Sequence, residues 1–123
     1  MTDASARRRW VAAAVWAAIV VTATSIPNPD VTNPGDADKL VHGLSYALLA
    51  WLVARALPTL APGRLALVLL ALAAFAALDE WHQAFIPGRS ASVADWYADT
   101  AGVILGLLTA ALRRSPSRAA SAP

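Results

Sequence analysis

The sequence predicts an all-α, polytopic membrane protein built as a four-transmembrane-helix bundle, and three observations carry that expectation. Apolar residues fill 58% of the 123 positions, above the roughly 45–50% of an average soluble domain, and the mean hydropathy is +0.51. Apolar stretches stand apart at about residues 10–26, 40–57, 65–85 and 93–112, each close to the ~17–25 residues that cross some 30 Å of hydrocarbon. No stretch alternates with a period of two, and a transmembrane barrel would need more strands than this length holds.

The first stretch follows Arg7, Arg8 and Arg9. An arginine-rich start before an apolar run also fits a signal peptide over residues 7–26, with small residues around 23–25 as a weak cleavage site. Cleavage there would leave the orientation of the later stretches unchanged. Residues 27–36, PNPDVTNPGD, are dense in residues that interrupt a helix and predict an exposed loop.

The second stretch opens with Asp38, Lys39, His42 and Tyr46. At about 100° per residue, Lys39, His42 and Tyr46 fall within roughly 60° of one another and form a polar stripe. Asp38 suits a helix N-cap, where a carboxylate meets free N–H groups. Residues 57–64, LPTLAPGR, predict a tight turn between antiparallel neighbours.

The third stretch ends in Asp79, Glu80, Trp81, His82 and Gln83. The spacing sets Asp79, His82 and Gln83 on one face, with Glu80 about 100° round from Asp79. Adjacent carboxylates repel, so near lipid they call for a cation such as Arg89, Lys39 or a bound metal. Ile86, Pro87, Gly88 and Arg89 make a turn that holds Arg89 in a defined place. Its guanidinium suits a carboxylate or phosphate ligand, or a salt bridge to Asp79 or Asp95.

Ser90 and Ser92 stand where caps of the fourth stretch belong. Asp95, Asp99, Gly102 and Gly106 then share about 60° of arc. Glycines four apart permit close helix approach, so this face should look into the bundle and carry both aspartates with it.

Charge sets the expected topology. With four spans, Arg7, Arg8, Arg9, Arg55, Arg64, Arg113, Arg114 and Arg118 fall on one side, and the other receives only Lys39 and Arg89 as cations, together with Asp30, Asp36, Asp38, Asp79, Glu80, Asp95 and Asp99. The positive-inside rule makes both termini cytoplasmic and turns the polar ends of spans two to four outward, where they can form one site. The formal net charge of +2 reflects helix-end arginines rather than a nucleic-acid surface, and no nucleic-acid partner is expected. With no cysteine, thiolate chemistry and cysteine-bound zinc are excluded. The polar residues thin out toward the arginine side, which argues against an ion pathway.

From their chemistry, His42, Asp79, Glu80 and His82 are candidates for acid–base roles, and Asp79, Glu80 and His82 for a divalent cation. Lys39, Tyr46, Gln83, Arg89, Asp95 and Asp99 are candidates for ligand binding.

In this ordered combination the chain resembles the VanZ-like family of small bacterial membrane proteins. The resemblance rests on Asp38-Lys39 with His42 and Tyr46, Asp79-Glu80 with His82-Gln83, Pro87-Gly88-Arg89 with Ser92, and Asp95 with Gly102 and Gly106. It implies a VanZ-like four-helix membrane domain over residues 1–112 with its motif region at 38–106, while the small, polar residues at the end of the chain predict a disordered cytoplasmic tail over 113–123. Asp99 departs from the asparagine usual in the family and adds a negative charge. The resemblance implies a bacterial cell-membrane location, membrane lipid as a partner, and a link to low-level resistance to the glycopeptide teicoplanin through the antibiotic or a cell-wall precursor. Whether such a protein is an enzyme stays open. The alternatives are an enzyme acting on a lipid head group or polyprenyl-phosphate carrier, and a structural or partner-binding membrane subunit.

Overall fold

Helix boundaries follow local signals. In a computed structural model that describes residues 2–27 and 35–115, the chain forms α1 (Asp3–Thr24), α2 (Gly35–Ala56), α3 (Pro62–Gln83) and α4 (Val93–Arg114). Residues 28–34 of the expected loop and 116–123 of the expected tail lie outside the described residues. The Thr2 side chain caps α1 by accepting from Ser5 N. Pro62 sits in the first turn of α3, where its missing N–H costs nothing. The Ser92 side chain caps α4 by accepting from Asp95 N at 3.2 Å, as its position predicts. α2 begins at Gly35, so Asp38 lies inside the helix rather than at its N-cap.

Each helix has 22 residues, or about 33 Å at ~1.5 Å per residue. Among the described residues there is no strand, and one helix, α3, is both long and apolar enough to cross a membrane. The others match its length but are less apolar, with Arg7 to Arg9 in α1, Asp38, Lys39 and Arg55 in α2, and Asp95, Asp99, Arg113 and Arg114 in α4, whereas α3 keeps Arg64, Asp79 and Glu80 at its two ends. Large apolar side chains face outward on every helix, among them Ile19, Leu44, Leu67, Leu70, Leu105 and Leu112.

The core is a parallel pair, α2 against α4, flanked by α1 on α2 and by α3 on α4. The 57–64 turn predicts α2 and α3 as close neighbours, yet these two barely touch. The reason lies in side-chain size along α4. A Cβ at Gly102 would overlap the Gly43 carbonyl, and one at Gly106 would overlap the Ala47 carbonyl. The glycines therefore bring the two backbones into direct contact, an approach α3 cannot match with Leu65, Leu69 and Leu72 on its core side. Tyr46, Leu49, Ala50, Ala54, Val103, Leu107 and Ala110 fill the seam, with Val20 from α1 and Ala76 from α3.

Polar anchors tie the flanking helices on. Trp16 donates to the Ser45 carbonyl at 2.9 Å, and Trp96 to the Ala73 carbonyl at 2.9 Å. Arginines gather at one end of the bundle. Arg9 donates to the Arg55 carbonyl, and Arg114 donates to the carbonyls of Ala54, Arg55 and Leu57 at the end of α2. Cations at a helix C-terminus meet free carbonyls and the negative end of the helix dipole.

Candidate functional site

The opposite end of the bundle gathers the acids, and every helix contributes. α1 brings Thr24, α2 brings Asp38, Lys39, His42 and Tyr46, α3 brings Asp79, Glu80 and Gln83, and α4 brings Asp95 and Asp99. Thr24, His42, Tyr46, Asp79, Glu80, Gln83, Asp95 and Asp99 are all buried. Ionisable groups rarely reach such burial unless they are paired.

The adjacent carboxylates Asp79 and Glu80 avoid repulsion by diverging. Asp79 turns toward α1 and α2, where Oδ1 accepts from the Thr24 hydroxyl at 2.7 Å and Oδ2 from the Tyr46 hydroxyl at 3.1 Å. Both of its oxygens are thereby occupied. Glu80 turns toward α4, where Oε2 accepts from Ser92 N at 3.0 Å and Oε1 from Gln83 Nε2 at 3.3 Å.

His42 is the hub. Its Nδ1 lies 3.0 Å from Asp99 Oδ1 and 3.8 Å from Glu80 Oε1, and its Nε2 lies 3.7 Å from Asp38 Oδ2. Asp99 is 0% exposed, and its Oδ2 has no hydrogen-bond partner among the described residues. At the rim, Lys39 Nζ stands 3.7 Å from Asp95 Oδ1.

Two groups bring donors close enough for a cation, His42 with Glu80 and Asp99, and Asp38 with His42 and Asp95. In chemical terms the centre is an imidazole hydrogen-bonded to one carboxylate at Nδ1, with a second carboxylate 3.7 Å from Nε2. That arrangement can fix a tautomer, hold a proton or seat a metal.

Two sequence candidates lie elsewhere. His82 is exposed, outside the network. The buried arc of α3 runs from Asp79 through Gln83 to Glu80, about 100° wide, and His82 falls roughly 60° outside its Asp79 edge. Among the described residues Arg89 reaches no carboxylate; it donates through Nε to the Ile26 carbonyl at 2.8 Å and through a terminal nitrogen to the Ala23 carbonyl at 3.1 Å. The predicted turn holds it there, with Gly88 at φ 77° and Arg89 N bonded to the Ile86 carbonyl at 3.0 Å. Its charge caps the end of α1.

Sequence reasoning missed Thr24 altogether and treated Asp38 as a cap. It also overlooked Gly43, whose carbonyl receives Gly102. A signal for the last was present, since Gly43, Ala47, Ala50 and Ala54 repeat on α2 the spacing of Asp95, Asp99, Gly102 and Gly106 on α4.

The VanZ/LLP1 family model matches residues 5–114, which takes in α1 from Ser5 onward, the other three helices and every residue of this network. No curated protein and no solved structure matches the chain.

Proposed function

Because the chain belongs to the VanZ/LLP1 family, we propose that it is a multi-pass protein of the bacterial cell membrane whose acidic end works at the outer surface of the cell envelope. In this reading all four helices span the bilayer, and both termini are cytoplasmic. The arginine end and the acidic end then obey the positive-inside rule. The outward apolar side chains of every helix meet lipid tails, and the family and the apolar α3 support a membrane location.

The observation that carries the reading is the convergence of Thr24, His42, Asp79, Glu80 and Asp99 from four helices into one buried network at one end. A solvated helix end would leave those groups exposed, and an apolar core of the same volume would be cheaper to fold. Retaining them points to a working centre. Its proposed task is to alter how a glycopeptide such as teicoplanin, or a cell-wall precursor, meets the membrane surface.

The alternative, an enzyme on a phosphate-bearing lipid head group, draws less support from the geometry. Arg89 is engaged with the Ala23 and Ile26 carbonyls, which leaves Lys39, beside Asp95, as the cation at this end. A phosphate arriving there meets mainly carboxylates.

The test is teicoplanin susceptibility of a sensitive Gram-positive host carrying the wild-type gene or Glu80→Gln, with membrane levels of both proteins matched by immunoblot. Protection by the wild type and its loss in the variant are expected. Equal protection by both would remove the network from the function, and protection by neither would overturn the glycopeptide reading.

A further inference from the structure

The geometry points to a site for one divalent transition-metal ion of the zinc type, held by His42 Nδ1, Glu80 and Asp99 in the interior of the acidic end. The donors come from α2, α3 and α4, and the ligand atoms all lie within 4.8 Å of one another. A tetrahedral ion with bonds of about 2.1 Å sets its donors roughly 3.4 Å apart. The distances from His42 Nδ1 to Asp99 Oδ1 and to Glu80 Oε1, 3.0 and 3.8 Å, bracket that separation.

Three independent features distinguish this group from a plain acidic cluster. The first is Asp99, which is 0% exposed and directs Oδ1 at His42 while Oδ2 lacks any hydrogen-bond partner among the described residues. A buried carboxylate oxygen without a donor is costly, and a cation at the cluster would satisfy that carboxylate.

The second is charge. Asp38, Asp79, Glu80, Asp95 and Asp99 converge here, and the described cationic side chain facing them is Lys39, beside Asp95. Arg89, the other cation of this end, is turned onto the Ala23 and Ile26 carbonyls.

The third is the set of groups surrounding the donors. A metal-bound imidazole characteristically gives its other N–H to a carboxylate, and Asp38 Oδ2 stands 3.7 Å from His42 Nε2. Gln83 and Ser92 N hold the Glu80 carboxylate in place.

The ligand set differs from the sequence candidates for good reason. Asp79 lies outside both donor groups, turned instead to the Thr24 and Tyr46 hydroxyls, and His82 is exposed. One imidazole with two carboxylates and no thiolate suits a borderline ion, whereas calcium and magnesium prefer cages made of oxygen alone.

The inference concerns the network of the proposed function but not its phenotype, so the two fail separately. The full chain, purified in detergent, is stripped with chelator, reloaded with zinc or calcium alone, desalted and measured for bound metal. About one zinc per chain and no calcium is expected. Asp99→Asn and His42→Gln should each lower zinc affinity at least ~10-fold, while His82→Ala keeps it. A rise in melting temperature with zinc, present in the wild type and absent from Glu80→Gln, guards against variants that simply misfold. A wild type that retains no more zinc than His42→Gln, a preference for calcium, or full retention by Asp99→Asn would overturn the site. Teicoplanin protection without zinc would sink this inference alone, and zinc without protection would sink the proposed function alone.

Discussion

His42 of α2 and Asp99 of α4 meet at 3.0 Å directly beside the place where Gly102 lies against the Gly43 carbonyl. The two contacts depend on each other. An aspartate has a single methylene, so it reaches a side chain on the neighbouring helix only where the backbones approach closely. The glycines of α4 create that approach, and the polar centre is built on it.

That dependence predicts a large effect from a small change. Gly102→Ala forces a methyl group into a backbone carbonyl that cannot swing aside, and should cost about 1–3 kcal/mol or more in detergent unfolding. Gly63→Ala, where a Cβ would meet nothing within 4 Å, should instead be neutral or gain up to ~1 kcal/mol of helix propensity. Equal effects at the two positions would contradict the close α2–α4 contact.

Asp79 should act as a structural anchor between α1 and α2. Thr24→Val or Tyr46→Phe leaves one of its buried oxygens without a donor, at a cost of about 1–3 kcal/mol each. Because the two hydroxyls share one carboxylate, the double variant should depart from additivity by at least ~0.5 kcal/mol. Strict additivity in unfolding experiments would argue that the hydroxyls do not act through Asp79.

The two histidines should separate cleanly. His82 is exposed, so His82→Ala should change stability by no more than ~0.5 kcal/mol. His42→Ala removes the partner of a wholly buried aspartate and should cost about 3–5 kcal/mol. Thermal or denaturant unfolding of the two proteins in one detergent checks the contrast, and similar losses would contradict it.

Arg89→Ala should loosen the end of α1, because the guanidinium serves the Ala23 and Ile26 carbonyls. Hydrogen exchange of the amides over residues 21–26 should speed up, with a stability loss of about 1–2 kcal/mol. Unchanged exchange there would return Arg89 to the ligand-binding role its chemistry suggests.

Much of this arrangement was legible in the chain, and the limits have physical causes. Apolar length located the four helices, Pro87-Gly88 located the turn, and the i, i+4, i+7, i+11 register put Asp95, Asp99, Gly102 and Gly106 on one inward face. Periodicity left the rotation of α3 undecided to within half a turn, because tertiary contact sets it, and so His82 was grouped with Asp79. Arg89 escaped because its partners are backbone carbonyls, which every residue type possesses. Thr24 escaped because a hydroxyl near a helix end is ordinary until Asp79 arrives from another helix. The parallel α2–α4 pairing was hidden because a short turn suggests that its two helices are neighbours, while backbone contact through small residues outweighs chain order.

The orientation proposed for the protein turns the acidic network outward and the arginine end toward the cytoplasm. The chain has no cysteine, so single replacements report without background. Ser90 and Ser115 are exposed at the acidic and arginine ends. Intact cells expressing Ser90→Cys or Ser115→Cys are treated with a membrane-impermeant maleimide before and after permeabilisation. Ser90→Cys should be labelled in intact cells and Ser115→Cys only after permeabilisation; the reverse pattern, or protection of both until the membrane is opened, would overturn this orientation.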